Sequence, residues 1–164
     1  MHYLRFALTG MVLGLAQLLA LPVFPGAAGF GSHTVAGCGG QVYRVTNLND
    51  RGPGSLRHGI QELQGPRVII FDVSGVIELE SDILLSDSKG DHGYLTIAGQ
   101  TAPPPGITLK NYGIAIRSHD VLIQHIAIRP GTDSGALGNR DAIKVEAPVG
   151  TATHRIVIDH VSTS

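Results

Sequence analysis

Tryptophan is absent from this chain, cysteine occurs once, aromatic residues make up 5% and charged residues only 15%. The single cysteine, Cys38, has no partner for an internal disulfide, and alone it cannot build a metal site. It lies within Gly37-Cys38-Gly39-Gly40 and reads as a lone thiol in a glycine-rich turn. Neither charge dominates: 12 Lys and Arg stand against 13 Asp and Glu, for a formal net charge of −1. The basic stripe of a nucleic-acid-binding protein is therefore missing, and no such partner is expected. The eight histidines are scattered along the chain without the local spacing of a zinc site. After the first residues, no apolar run approaches the roughly 20 residues that a membrane span requires.

What is present is glycine, 22 residues of it, among short β-branched runs. Such a composition points to many short strands joined by tight turns. The N-terminus differs from the rest. His2 and Arg5 open a weakly basic start, and an apolar run follows from Phe6 to Leu21, interrupted by Thr9 and Gln17. With small residues near Ala20, residues 1–21 read as a signal peptide, so the mature chain is expected to be secreted and free of the membrane.

The remainder repeats. Val68-Ile69-Ile70-Phe71, Leu95-Thr96-Ile97-Ala98, Val121-Leu122-Ile123-Gln124 and Ile156-Val157-Ile158-Asp159 begin at residues 68, 95, 121 and 156, hence 27, 26 and 35 apart. Between them lie Val76–Leu79, Ile107–Lys110, Ile114–Arg117 and Ala142–Glu146. A period of about 20–50 residues marks a solenoid, in which each short strand is stabilised by stacking on the next coil. The fold class expected is all-β, a right-handed parallel β-helix with two or three strands per turn. Alternation places Ile156 and Ile158 on one face and Val157 and Asp159 on the other. Aligned coils predict like residues in ladders: His125 over His160, Gln124 over Asp159, and the charge pairs Arg117–Glu146 and Glu80–Lys110. Asp159 and His160 read as an outer ladder and a corner hydrogen bond. One short helix is predicted as a cap on the first coil. It starts after Gly52-Pro53-Gly54 with Ser55 as N-cap, carries Leu56, Ile60 and Leu63 on one face, and stops at Gly65-Pro66.

Four segments, in this order, resemble pectate lyases of the first polysaccharide lyase family, especially its bacterial branch. Phe24-Pro25-Gly26-Ala27-Ala28-Gly29-Phe30-Gly31 is similar to the start of the mature domain. Val42 to Asp50, then Gly52-Pro53-Gly54-Ser55-Leu56-Arg57, is similar to the first strand and its capping helix. Ile97-Ala98-Gly99-Gln100-Thr101-Ala102-Pro103 resembles the first full coil, and Ile158-Asp159-His160 an Ile-Asp-His strand. The resemblance spans residues 24–164.

It implies calcium-dependent cleavage of polygalacturonate, an acidic plant cell-wall polysaccharide, by β-elimination. Calcium takes several hard oxygen ligands. Asn139-Arg140-Asp141-Ala142-Ile143 resembles the family's calcium strand, with Asp141 matching a ligand and Asn139 standing where many members carry another aspartate. The family's other acidic ligands, and the arginine proposed as its base, follow the Ile-Asp-His strand. No catalytic residue is assigned in this chain, and the base is expected downstream of Ser164. Residues 24–164 are thus read as the N-terminal portion of the domain, which is expected to be monomeric at full length. Arg129 and Lys144 are the candidate contacts to an acidic sugar, with a turn-positioning role and an ion pair as their respective structural alternatives. A non-catalytic module that binds acidic polysaccharide is the alternative to a lyase. A hydrolase acting through paired aspartates is disfavoured, because aspartates do not cluster on one outer face.

Overall fold

Alternation of apolar and polar residues over four to six positions gives strands, and the turn residues between them fix how the strands stack. A computed structural model describes residues 21–131, 141–149 and 152–164. The expected signal peptide, apart from Leu21, lies outside the described residues, and so does Asn139.

The strands are β1 (Gln41–Val45), β2 (Arg67–Phe71), β3 (Gly75–Glu78), β4 (Ile83–Ser86), β5 (Leu95–Ala98), β6 (Ile107–Lys110), β7 (Ile114–Arg117), β8 (His119–Gln124), β9 (Ile126–Arg129), β10 (Ile143–Val145), β11 (His154–Asp159) and β12 (Ser162–Thr163). They form three parallel sheets, in the orders β1-β2-β5-β8-β11, β3-β6-β9-β12 and β4-β7-β10. These are called the first, second and third sheets below. Each full coil contributes one strand to each sheet, which is the right-handed parallel β-helix expected. The four principal apolar runs are β2, β5, β8 and β11. Three strands per turn is the upper of the two values expected; β4 was not among the apolar runs read from the sequence, and β9 was merged with the end of β8.

The core is a set of vertical ladders. Ile69, Ile97, Ile123 and Ile158 stack in register in the first sheet, and Ile83, Ile114 and Ile143 in the third. Ile69, Ile97, Ile83 and Leu109 are fully buried. Toward the last coil, Val145 and Ile158 keep the inward phase but are 51% and 44% exposed.

One inward position breaks the apolar rule. In the register of β2 and β5, Arg67 stands where Leu95 and Val121 stand on the next coils, and it too is fully buried. The reason lies above it. The helix α1 (Leu56–Gln61) covers the first coil with Leu56 and Ile60, and its last turn presents carbonyls toward the core. Arg67 donates to the carbonyls of Gly59 and Ile60 at 2.9 Å each, Gly65 at 2.9 Å, and His92 and Gly93 at 3.1 Å each. Burial lowers its pKa to about 10, against the pull of Asp91 and Asp87, so the guanidinium stays charged at neutral pH.

At its other end α1 is capped as expected: Ser55 Oγ accepts from the amide of His58 at 3.2 Å. Ser55→Ala is expected to lower stability by about 1 kcal/mol, read as a shift in the denaturant midpoint at constant slope. The helix ends at Gln61, so Leu63 is outside it, and Gly65 with φ 72° turns the chain instead. Arg57 ties the helix to coil two, donating to Asp50 and to the carbonyls of Ser81 and Asp82.

Of the charge ladders expected, Arg117–Glu146 forms at 2.7 Å. Glu80–Lys110 does not. Register pairs Lys110 with Glu78, at 2.9 Å, and Glu80 faces Arg51 at 3.3 Å. The strand starts one residue earlier than the apolar run suggests, and Glu80 lies beyond its end. Such exposed pairs contribute about 0–1 kcal/mol each.

Candidate functional site

The third sheet carries two of the residues first singled out for chemistry, Asp141 at the entry to β10 and Lys144 within it. Asp141 lies two residues before β10, and the adjoining carbonyl of Ala142 accepts from the amide of Ile114 at 3.0 Å, which fixes this strand's entry onto β7. The Asp141 side chain is 50% exposed, with Lys144 Nζ 3.9 Å away. In the pleat, Lys144 stacks on Ala115 and Leu84, while Glu146 follows on the same face and binds Arg117. The result is a shallow face of alternating sign: Asp141, Lys144, Glu146 and Arg117.

Arg129 is not part of it. It ends β9 in the second sheet, over Lys110 and Glu78, and its guanidinium is bonded to the carbonyl and hydroxyl of Ser162 at 2.6 and 2.7 Å. The structure therefore brings Asp141 and Lys144 together and leaves Arg129 on another sheet. Asn139 cannot be placed, since it is outside the described residues.

Two further clusters join side chains that lie one coil apart; sequence reading missed the first and anticipated the second. Left-handed backbone recurs at the start of successive strands of the first sheet: Tyr94 just before β5, and Asp120 and Arg155 as the second residues of β8 and β11 (φ 53°, 52° and 54°). Asp120 is fully buried there. It accepts from Arg155 Nε at 2.7 Å and Nη2 at 2.5 Å, from Thr34 Oγ1 at 3.0 Å, and lies 2.9 Å from His119 Nδ1. Burial opposes its charge, but the bonds from Arg155, His119 and Thr34 outweigh that and hold the carboxyl far below the ordinary carboxylate range. Thr34 belongs to the N-terminal segment 31–40, which runs across the outer face of the first sheet. Gly31 and Gly37 lie so close to the backbones of Ile156 and Arg67 that a Cβ would fall 2.5 and 2.0 Å from those carbonyls. The segment also donates from the Gly37 amide to Thr96 Oγ1 at 3.0 Å. Asp120 thus fastens the strap to coils four and five.

The second cluster is the expected ladder of His125 over His160 and Gln124 over Asp159. The imidazole rings stack with centroids 4.7 Å apart and planes at 16°. Gln124 Nε2 donates to Asp159 at 2.8 Å and holds that carboxyl below its ordinary range, His160 adding to the effect. Asp159 Oδ1 is 2.8 Å from His160 Nδ1.

With this geometry in place, comparison with known proteins becomes specific. Over 146 residues, 88% of this chain, it is 40% identical to a protein from Aspergillus fumigatus described as a probable pectate lyase C, and this covers 31% of that protein. This chain is homologous to pectate lyases. A probable pectate lyase C from Aspergillus terreus is 39% identical over 162 residues, 97% of this chain and 34% of its own length. The chain thus spans about a third of the length of the curated relatives it matches. Among solved structures, that of Jun a 1, the major allergen from cedar pollen, matches with a TM-score of 0.52 and 29% identity over 63% of this chain and 29% of its own. No protein-family model matches. These pectate-lyase relatives are fungal, and the expected bacterial branch finds no support in them.

Proposed function

We propose that this chain forms the first coils of a secreted, calcium-dependent pectate lyase that cleaves polygalacturonate by β-elimination. The observation that carries the reading is the 40% identity to a protein described as a probable pectate lyase across 88% of the chain, on coils whose register the structure defines. In that reaction the proton at C5 of the uronate is removed, the C5–H electrons form the C4–C5 double bond, and the glycosidic oxygen leaves from C4 and takes up a proton.

Asp141 is the proposed calcium ligand of this chain, and Asn139 the candidate beside it. Calcium takes about six to eight oxygens. Among the described residues, Asp141 belongs to neither cluster of three or more ligating side chains, and Lys144 is its close neighbour. These residues do not make a calcium site by themselves, and no step is derived through the ion. Lys144 is the proposed uronate contact on the same face. Arg129, on the second sheet and tied to Ser162, is proposed as a more distant contact for a long polymer.

The test is product formation from polygalacturonate by this sequence carried at the relatives' full length, with and without calcium. Product that requires calcium, with Asp141→Asn raising the calcium needed at least tenfold, supports the reading. Tight binding of the polymer with no product under either condition contradicts it and favours a non-catalytic binding module.

A further inference from the structure

The histidines of this chain look scattered in sequence, but a coil of 35 residues brings two of them face to face with an aspartate. His125 follows β8 and His160 follows β11, each in the left-handed conformation, with φ 54° and 52°. Identical turns one coil apart place the rings parallel at 4.7 Å, close to the strand spacing itself. Asp159 projects from β11 beside them, and one donor atom from each of the three residues lies within 4.8 Å of the others. Both histidines are exposed.

We propose that His125, Asp159 and His160 form a surface site for a borderline divalent metal, Zn2+ above all, separate from the calcium face on the third sheet. Two imidazole nitrogens and one carboxylate suit zinc, whereas calcium prefers oxygen throughout. Donors at about 2.0–2.2 Å from one zinc ion sit a little over 3 Å apart, a closure that exposed rings reach by small rotations. The carboxylate is already oriented: Gln124 donates to its Oδ2, and Gln100 in turn lies 3.4 Å from Gln124, so a ladder of amides supports the ligand from two coils below. Three protein ligands leave a fourth position open to solvent.

The other His-Asp-His group, His119, Asp120 and His154, provides an internal contrast. Its carboxylate is buried and fully engaged, with the Arg155 guanidinium bonded to both oxygens. A fixed cation already fills the place a metal would take. At His125–Asp159–His160, no Lys or Arg among the described residues is bonded to the carboxylate.

The experiment titrates Zn2+ into the protein against a chromophoric chelator, and Cu2+ into parallel samples read by electron paramagnetic resonance. The variants are His125→Asn, His160→Asn and, as control, His154→Asn. Asparagine tolerates left-handed backbone, so the first two keep the turns, which circular dichroism without metal verifies. The site predicts at least a tenfold loss of Zn2+ affinity in each of the first two, no change in the third, and Cu2+ coupling to two nitrogens falling to one in either single variant. Equal affinity in all four proteins, or a loss confined to His154→Asn, overturns the proposal. Neither readout depends on lyase activity, so the site can fail while the lyase reading stands.

Discussion

Arg67→Leu is expected to destabilise the fold by about 3–5 kcal/mol, in line with removing one partner of a buried charged network. Judged by sequence alone the substitution is benign, since leucine and valine occupy the same inward position on the following coils. The structure gives the opposite sign. Leucine leaves the carbonyls of Gly59, Ile60, Gly65, His92 and Gly93 without this donor, and all but Gly65 belong to buried residues. Those carbonyls belong to the end of α1, to the turn after it and to the loop entering β5, so the cap detaches from the coils as the site is lost. Denaturant unfolding measures the effect. Should Arg67→Leu fail to fold, Arg67→Lys provides the reading: one ammonium keeps the charge but lacks the planar fork, and an intermediate loss is expected. A leucine variant within about 1 kcal/mol of the parent contradicts this account of the cap.

The second large effect is at Asp120. Asp120→Asn is expected to cost about 2–4 kcal/mol at neutral pH, because hydrogen bonds to a charged carboxylate each contribute about 1.5–3 kcal/mol and the Arg155 pair weakens. Its pH dependence is the more discriminating result. The folded carboxyl titrates far below its unfolded value, so its stabilisation is complete above about pH 4 and is lost as pH falls from there toward the folded value. Within that window the parent should lose up to about 1.4 kcal/mol per pH unit from this group, and the asparagine variant should lack that component. Parallel acid curves for the two proteins would show that Asp120 does not fasten the strap. Left-handed backbone at this position is compatible with asparagine, so the comparison isolates the charge.

Both predictions concern residues whose roles were invisible in the sequence, and for a common reason. Periodicity revealed the apolar ladders, because Ile97 and Ile123 repeat the same residue type at the same phase. It also revealed His125 over His160, where the repeats align without gaps. It did not reveal Arg67, which falls just before the apolar run that begins at Val68 and whose five acceptors come from segments 59–65 and 92–93. Nor did it reveal Asp120, which needs Thr34 from a segment 86 residues earlier in the chain. The Glu80–Lys110 pairing failed on a shorter scale: in a parallel ladder a small shift in the assigned strand start changes which side chains face one another. That Asp141 and Lys144 lie side by side was legible, because they share one strand and its entry. Arg129 was legible as a charge but not as a location, because its sheet is set by how the coil turns and not by its neighbours in sequence.

Under the proposed function, these coils are the scaffold of an enzyme that eliminates rather than hydrolyses. Mass analysis of the fragments released from polygalacturonate, by this sequence at the full length of its relatives and in the presence of calcium, tests it most directly. The account predicts new non-reducing ends lighter by one water than those of hydrolysis, with the absorbance of a double bond conjugated to the carboxylate. Fragments of full hydrolytic mass without that absorbance, or no fragments at all, would contradict it.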